Sequence, residues 1–593
     1  MPYLPQIISA PQSKDTTDTF YGYNHKLKIG AGEMYHTENL STRDFPMLST
    51  RKRRGWVDNL GDCRNILDKD ALAYVKDGTL YYDGEVILTP QHGLTPGQKQ
   101  LVKFGAYVLV FPDKIYVNTK QTGDQGNIEA SFTISGTTDY SYCTADGEGI
   151  TPATTEPQSP TNGQYWYDSA NNVLKCWSGA QQEWVTVVTP YTKITFNDFS
   201  LPLGSFFKEH DAVTLSGTKY ADVLDGEKIL YGVGNDVENN TAYIIVVGLI
   251  PAAAASYSST VYLDRTMPQL DYIFECQNRL WGCRYGLDEK GQFLNEIYCS
   301  ALGDFKNWRQ YMGLSTDSWT ASVGSDGPWT GGINYLGTPM FFKENVVHRV
   351  TVSATGGHRL DEMQCRGVME GCSRSLAVID EKLIYKSRND FCIFQGGFPE
   401  SIGMALGDEQ YSDVTAGVYN SRYYASMKDH AGDWHLFVYD SRQNLWIRED
   451  SMHAYGFAWI GNSFYAIDDN GDLWDLAGYT GTTEQDLHWT AQTGILHYFV
   501  RGSRGAAVNT NRKYTSRYSI QMTATKGSTV AVYVRYDSDG IWRFQGEMPF
   551  SGLNTVVFPI RPRRCDHLEI KIEGQGDAKI YGITRYIEEG SDI

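Results

Sequence analysis

The sequence predicts an all-β chain: a β-propeller of six or seven blades, a small β domain inserted into it, and a C-terminal β-sandwich. Three observations lead there. The stretch 371–478 repeats one pattern three times, an alternating apolar run, a tight polar turn and a second run ending on an aromatic, as in LAVIDEKLIYKSRNDFCIFQGG (376–397). The other instances span 416–450 and 455–478, and the turn residues Asp380-Glu381, Asn420-Ser421, Gly461-Asn462 and Asp469-Asn470-Gly471 fall where hairpins need them. Four-stranded units repeated about every 40 residues read as propeller blades. The composition agrees, because 40 Tyr, 24 Phe, 14 Trp and 59 Gly are the aromatics and turn formers of strand-rich chains. Finally, 593 residues are too many for one core, so several domains are expected. The repeat is degenerate, and one large irregular β-sandwich is the competing arrangement.

Residues 1–55 read as an N-terminal arm with few strands and an internal echo, LSTR at 40–43 and again at 48–51. The arm ends in Arg51, Lys52, Arg53 and Arg54, a candidate contact for an acidic partner or phosphate. The alternative is an ion-paired loop on an arm packing across the first blade. From 56 to 122 the first blades follow: ALAYVKDGTLYYDGEVIL (71–88) turns at Asp77-Gly78 and Asp83-Gly84, and LVKFGAYVLVFPDKIYVNT (101–119) turns at Pro112-Asp113.

The repeat stops over 123–266, which reads as an insertion peripheral to the propeller. Within it, 151–187 passes from a Pro/Thr/Ser linker into a small aromatic hairpin carrying Trp166, Trp177 and Trp184, separable enough that the rest should fold without it. It resembles the short W-Y-D…W modules of phage tail and fibre proteins, some of which stack exposed aromatics on sugar rings. The three Trp are therefore candidate carbohydrate-binding residues, or else the mini-core that so small a module needs. Residues 188–250 read as a small barrel. Blades resume at LDYIFECQNRLWGCRYG (270–286) and continue to 480, the total being six or seven according to whether 297–325 completes one. Long alternating strands over 481–593, such as TSRYSIQMTAT (515–525) and TVAVYVRY (529–536), indicate the closing sandwich.

The net charge of −18 is unevenly spread. Residues 56–484 carry 30 Lys and Arg against 54 Asp and Glu, a balance of −24, whereas each flanking segment is +3. An acidic body argues against a surface that grips nucleic acid, since phosphate neutralisation needs clustered cations. The opening MPYLPQIISAPQSKD lacks the basic start and apolar run of a signal peptide, and no stretch approaches a membrane span. Ten Cys without a C-x-x-C pair read as buried free thiols, with no metal centre.

The order of parts resembles the tail nozzle family of short-tailed bacteriophages, also called tail tubular protein B and related to packaged-DNA stabilisation proteins. The resemblance is carried by LSTRDFPMLSTRKRRG, by LDYIFECQNRLWGC followed by YCSALGDFKNW, and by RPRRCDHLEIKIEGQGDAKIYGITRYIEEGS, and covers most of the chain outside 123–187. It implies a virion protein made in the host cytoplasm. Copies would form a homo-oligomeric ring, typically a hexamer, next to tail adaptor and tail fibre proteins, closing the channel around phage DNA and opening on ejection. A net-negative lumen would confine DNA without holding it, leaving Arg51 to Arg54 and Arg561, Arg563 and Arg564 for acidic neighbours.

The family has no catalytic residues to carry over, and no cofactor is expected. No H-E-x-x-H, G-x-S-x-G or P-loop occurs among the dispersed His and Gly. Asp468, Asn470 and Asp472 imitate the start of a calcium loop but lack its closing Glu, and read as a hairpin turn, as does the Asp537-Ser538-Asp539-Gly540 run. The expectation is thus a protein that is not an enzyme. Alternatives are a tail-borne carbohydrate-binding adhesin using the three Trp, or a propeller glycosidase using two opposed carboxylates.

Overall fold

A computed structural model describes residues 12–197, 202–353, 356–497, 499–502, 505–508 and 513–588. The first eleven residues of the arm and the last five of the chain lie outside the described residues. Helix among them is limited to single turns such as Leu203–Phe206 and Ala221–Leu224. The alternating runs fold as short antiparallel strands, joined by the turns their residues specify. Asp77 with Gly78, Asp83 with Gly84, Asp380 with Glu381 and Asn420 with Ser421 all take positive φ, the two-residue hairpin geometry that matches strand twist.

The fold is a β-propeller with an inserted β domain and a C-terminal sandwich. Seven sheets of four or five strands follow in chain order. The first is Ile66–Lys69, Ala71–Lys76, Thr79–Tyr82 and Glu85–Leu88, and the second covers 100–127. The third joins Tyr272–Cys276, Arg279–Leu287, Phe293–Cys299 and Trp319–Ser322, so 297–325 does complete a blade. The fourth covers 331–364, the fifth 377–401 and the sixth 412–450. The seventh departs from the sequence expectation. Its repeat supplies only Ala454–Ile460, Ser463–Asp468 and Asp472–Asp475, and the fourth strand is Gly55–Asn59 from the beginning of the blade region. Trp56 therefore belongs to the last blade and does not open the first.

The chain divides into two compact units, one of 1–101, 341–348 and 362–593, the other of 102–340 and 349–361. In the first, the leading strands of neighbouring blades pack side by side: Ala377–Ile379 on Ser412–Tyr419, that strand on Ala454–Ile460, and that in turn on Ile66–Lys69. Their faces close over Leu60, Ile66, Ala458, Ile467 and Leu473. Gly55 allows the last closure, since a Cβ there would lie 1.8 Å from the Thr480 carbonyl oxygen.

The same unit contains a ten-stranded sheet over one large core, including Tyr518, Ile520, Val532, Phe550, Phe558, Ile570 and Ile580. The two strands expected at 515–525 and 529–536 are one strand, Tyr514–Tyr536, with an irregularity between Ala524 and Ser528. The arm joins this sheet and does not pack across the first blade. Gln12–Thr17 and Leu48–Thr50 pair with Ala578–Glu588, and Met34–Glu38 pairs with His488–Thr493. Pairing over more than 450 residues of chain leaves no local periodicity to read.

In the second unit the insertion forms a seven-stranded antiparallel sheet, including the long strands Ala130–Cys143 and Ala254–Arg265, around Ile194, Phe196, Leu215, Ile244 and Val261. The aromatic module is a separate small sheet, yet its Tyr167 and Leu174 belong to this same core. Tyr167 stacks on Tyr142 with ring centroids 3.8 Å apart. The module is thus built into the insertion, contrary to the dispensable hairpin its linker suggested.

Candidate functional site

Two of the four basic residues, Arg51 and Arg54, turn inward, while Lys52 is exposed and Arg53 half-buried. Arg51 and Arg54 are each 5% exposed, where a partner could not reach them. Arg54 Nη1 lies 2.6 Å from Asp450 and its Nη2 3.3 Å from Glu449. Arg51 Nη1 lies 2.8 Å from Glu484 and its Nε donates to Asn39 Oδ1 at 2.7 Å. Arg53 reaches Asp577 at 3.1 Å, and Lys52 sits 4.4 Å over the Tyr479 ring. The cluster therefore ties the end of the arm to the sixth blade, to the segment after the seventh and to the sandwich. Burial raises both acids of the pair, but at Asp450 the Arg54 and Arg51 charges outweigh it and the carboxyl ends below its ordinary value. At Glu449 burial prevails and the carboxyl ends above it. Arg561, Arg563 and Arg564 are exposed, Arg563 standing 3.6 Å from Asp539.

The three Trp of the module do come together, mostly on one another. Trp166 is 6% exposed and donates from Nε1 to the Ala153 carbonyl at 3.0 Å. Trp177 and Trp184 are paired across adjacent strands with centroids 5.5 Å apart, and Trp184 meets Trp166 at 5.3 Å, both edge to face. Trp184 Nε1 donates to Glu156 at 2.8 Å and Lys175 Nζ covers Trp166 at 4.7 Å. This is the mini-core arrangement, and only Trp177 and Trp184 retain partial exposure.

The calcium-like spacing is a turn. Asp468 Oδ1 accepts the N–H groups of Asn470 and Asp472, both at 2.9 Å, while its Oδ2 accepts Trp474 Nε1 at 2.9 Å. Among the described residues no group of three or more His, Cys, Asp or Glu could hold a metal ion. All ten cysteines are free, and burial pushes the Cys299 thiol up to about 12.

The site that sequence reasoning missed is a groove of about 700 Å³ within the second unit, between the insertion and the third blade. Glu296 and Tyr298 line it from one face of the strand Phe293–Cys299. Tyr298 Oη donates to Glu296 Oε2, and Ser322 Oγ donates to Oε1 at 3.1 Å. Burial, reinforced by the Glu296 carboxylate, raises the Tyr298 phenol well above its ordinary value. Tyr311 is 53% exposed, and its hydroxyl is fixed against Thr320 Oγ1 at 3.0 Å. Also lining it, Glu227 pairs with Arg309, and Glu129 Oε1 receives Lys114 Nζ at 2.8 Å and the Met267 N–H at 3.0 Å. The i, i+2 spacing of Glu296 and Tyr298 was the available signal, because alternate residues of a strand share a face. Their meeting with the insertion was not visible.

Fold and groove together define a β-propeller protein with an inserted β domain. No family model matches the chain, and no curated protein does. Among solved structures, the exo-β-1,3-galactanase of Phanerochaete chrysosporium covers 53% of this chain and 94% of its own, at 12% identity and a TM-score of 0.20. A glycoside hydrolase family 43 arabinoxylan arabinofuranohydrolase from Bacillus subtilis covers 54% and 94%, at 9% identity and a TM-score of 0.18. The Trypanosoma rangeli sialidase covers 98% and 96%, at 9% and 0.20. The expectation that this chain is not an enzyme is corrected here. It rested on a resemblance to a family without catalytic residues and on absent motifs, whereas these matched structures are carbohydrate-cleaving enzymes. Likeness at this level assigns no residue a role.

Proposed function

We propose that the chain is a tail nozzle subunit of a short-tailed phage: a virion protein that assembles as a homo-oligomeric ring, closing the DNA exit channel and opening it on ejection. The observation that carries the reading is the order of parts behind the family resemblance: arm, interrupted propeller, sandwich. The weaving of arm strands into the C-terminal sheet adds support, because it joins the arm from Gln12 and the strand Ala578–Glu588 in one body suited to repeated packing. Its partners are further copies of itself, probed first, then tail adaptor and fibre proteins and the DNA in transit. The test is the mass of the assembled protein together with images of particles before and after DNA release. A monomer on the outer surface, or a lumen lined with Lys and Arg, refutes it.

A second reading, a tail-borne protein that binds or cleaves carbohydrate, is favoured by the groove beside the third blade, where a fixed, exposed Tyr311 stands with ordered carboxylates. A polysaccharide assay separates its forms. Depolymerisation marks an enzyme, retention without cleavage an adhesin, and neither leaves the nozzle alone.

A further inference from the structure

We infer that the groove between the insertion and the third blade binds a neutral oligosaccharide, with Tyr311 as the stacking platform; this rests on the second reading above and gives it a place and a ligand class.

Sugar recognition needs an exposed aromatic face for the apolar C–H side of a pyranose, and rigid polar groups around it for the hydroxyls. Tyr311 supplies the first. Its ring is half exposed while its hydroxyl is held by Thr320, so little side-chain freedom is lost on stacking. Glu296 supplies the second, an acceptor set in place by Tyr298 and Ser322 before any ligand arrives. Arg284, which lines the same groove, gives Nη1 to Asp271 at 2.7 Å and Nη2 to the Leu287 carbonyl at 3.2 Å.

The balance of charge selects a neutral sugar. Three of the four cations on the groove are committed to carboxylates, Arg284 to Asp271, Arg309 to Glu227 and Lys114 to Glu129. An acidic saccharide would find only Lys290 outside these pairs and would face Glu296 and Glu289 as well. The volume of about 700 Å³ suits several sugar units more than one.

The test is saturation-transfer NMR and calorimetry on the full chain with cellohexaose, maltohexaose, xylohexaose and a mannan oligomer. Binding to at least one is expected. Tyr311→Ala, a surface change with small folding cost, should weaken it about tenfold. Glu296→Gln should weaken it to a similar degree, and the double variant Trp177→Ala/Trp184→Ala should leave it unchanged. Binding lost in the Trp double variant and kept in Tyr311→Ala overturns the groove while preserving the second reading. No binding to any probe at millimolar concentration overturns both. Cleavage of a probe that Tyr311→Ala slows supports the groove.

Discussion

Replacing Arg54 by Met isolates what the basic cluster does. The Arg54 and Glu449 side chains are 6% and 7% exposed and Asp450 is 15% exposed, so the substitution leaves two carboxylates inside the protein with Arg51 as their remaining cation. Removing one partner of such a pair costs about 3–5 kcal/mol, because the charge left behind is neither hydrated nor matched. With a urea slope of about 3 kcal/mol/M, the midpoint for the first unit should fall by about 1–1.7 M, followed by tryptophan fluorescence. The pH dependence gives a second check. In the wild type Asp450 is held below its unfolded value, so it contributes stability above the ordinary carboxylate range that is lost as pH falls. Glu449 is held above its unfolded value and contributes in the opposite direction, so the two offset one another. Without Arg54 both acids are raised, and protonating them relieves the unpaired charge. The variant should therefore be less damaged at pH 4.5 than at pH 7, and Glu449→Gln should restore part of the loss. A midpoint drop below about 0.3 M, or equal damage at both pH values, refutes the inward role of the cluster.

Three further outcomes are expected. Tyr167→Ala should destabilise the insertion by about 3–5 kcal/mol, since it strips the ring stacked on Tyr142 from a shared core; excising 151–187 should likewise cost soluble protein, and a fully soluble deletion would show that the module stands apart. Gly55→Ala should open the seventh blade, because the obstructing atom is the Thr480 backbone oxygen; protease cleavage between about 50 and 65 should rise sharply, and an unchanged digestion pattern would contradict the closure. His36, lowered to about 4 by burial and then by Arg448, His25, His435 and Lys571, contributes stability above about pH 6.5 that is lost as pH falls toward 4; hydrogen exchange of the arm strand Met34–Glu38 should quicken over that window, and His36→Phe should flatten it.

Most short strands, their turns and the class of fold were legible in the amino-acid sequence. Residues such as Asp83-Gly84 and Asn420-Ser421 act through the backbone conformations they permit, and period-two alternation fixes which face of a strand can be buried; both are local properties of a few neighbouring residues. It also marked the basic cluster and the three Trp as unusual, leaving partner contact against ion pairing and sugar platform against mini-core unresolved. The tertiary structure turned Arg51 and Arg54 inward and Trp166 into its module, brought the arm into the C-terminal sheet, closed the seventh blade with Gly55–Asn59, and gathered Tyr311, Glu296 and Glu227 around one groove. Each of those outcomes depends on segments tens to hundreds of residues apart. Whether an arginine meets solvent or a carboxylate 433 residues away is decided by which strands pair, and pairing is a property of the whole assembled core, not of the residues beside it.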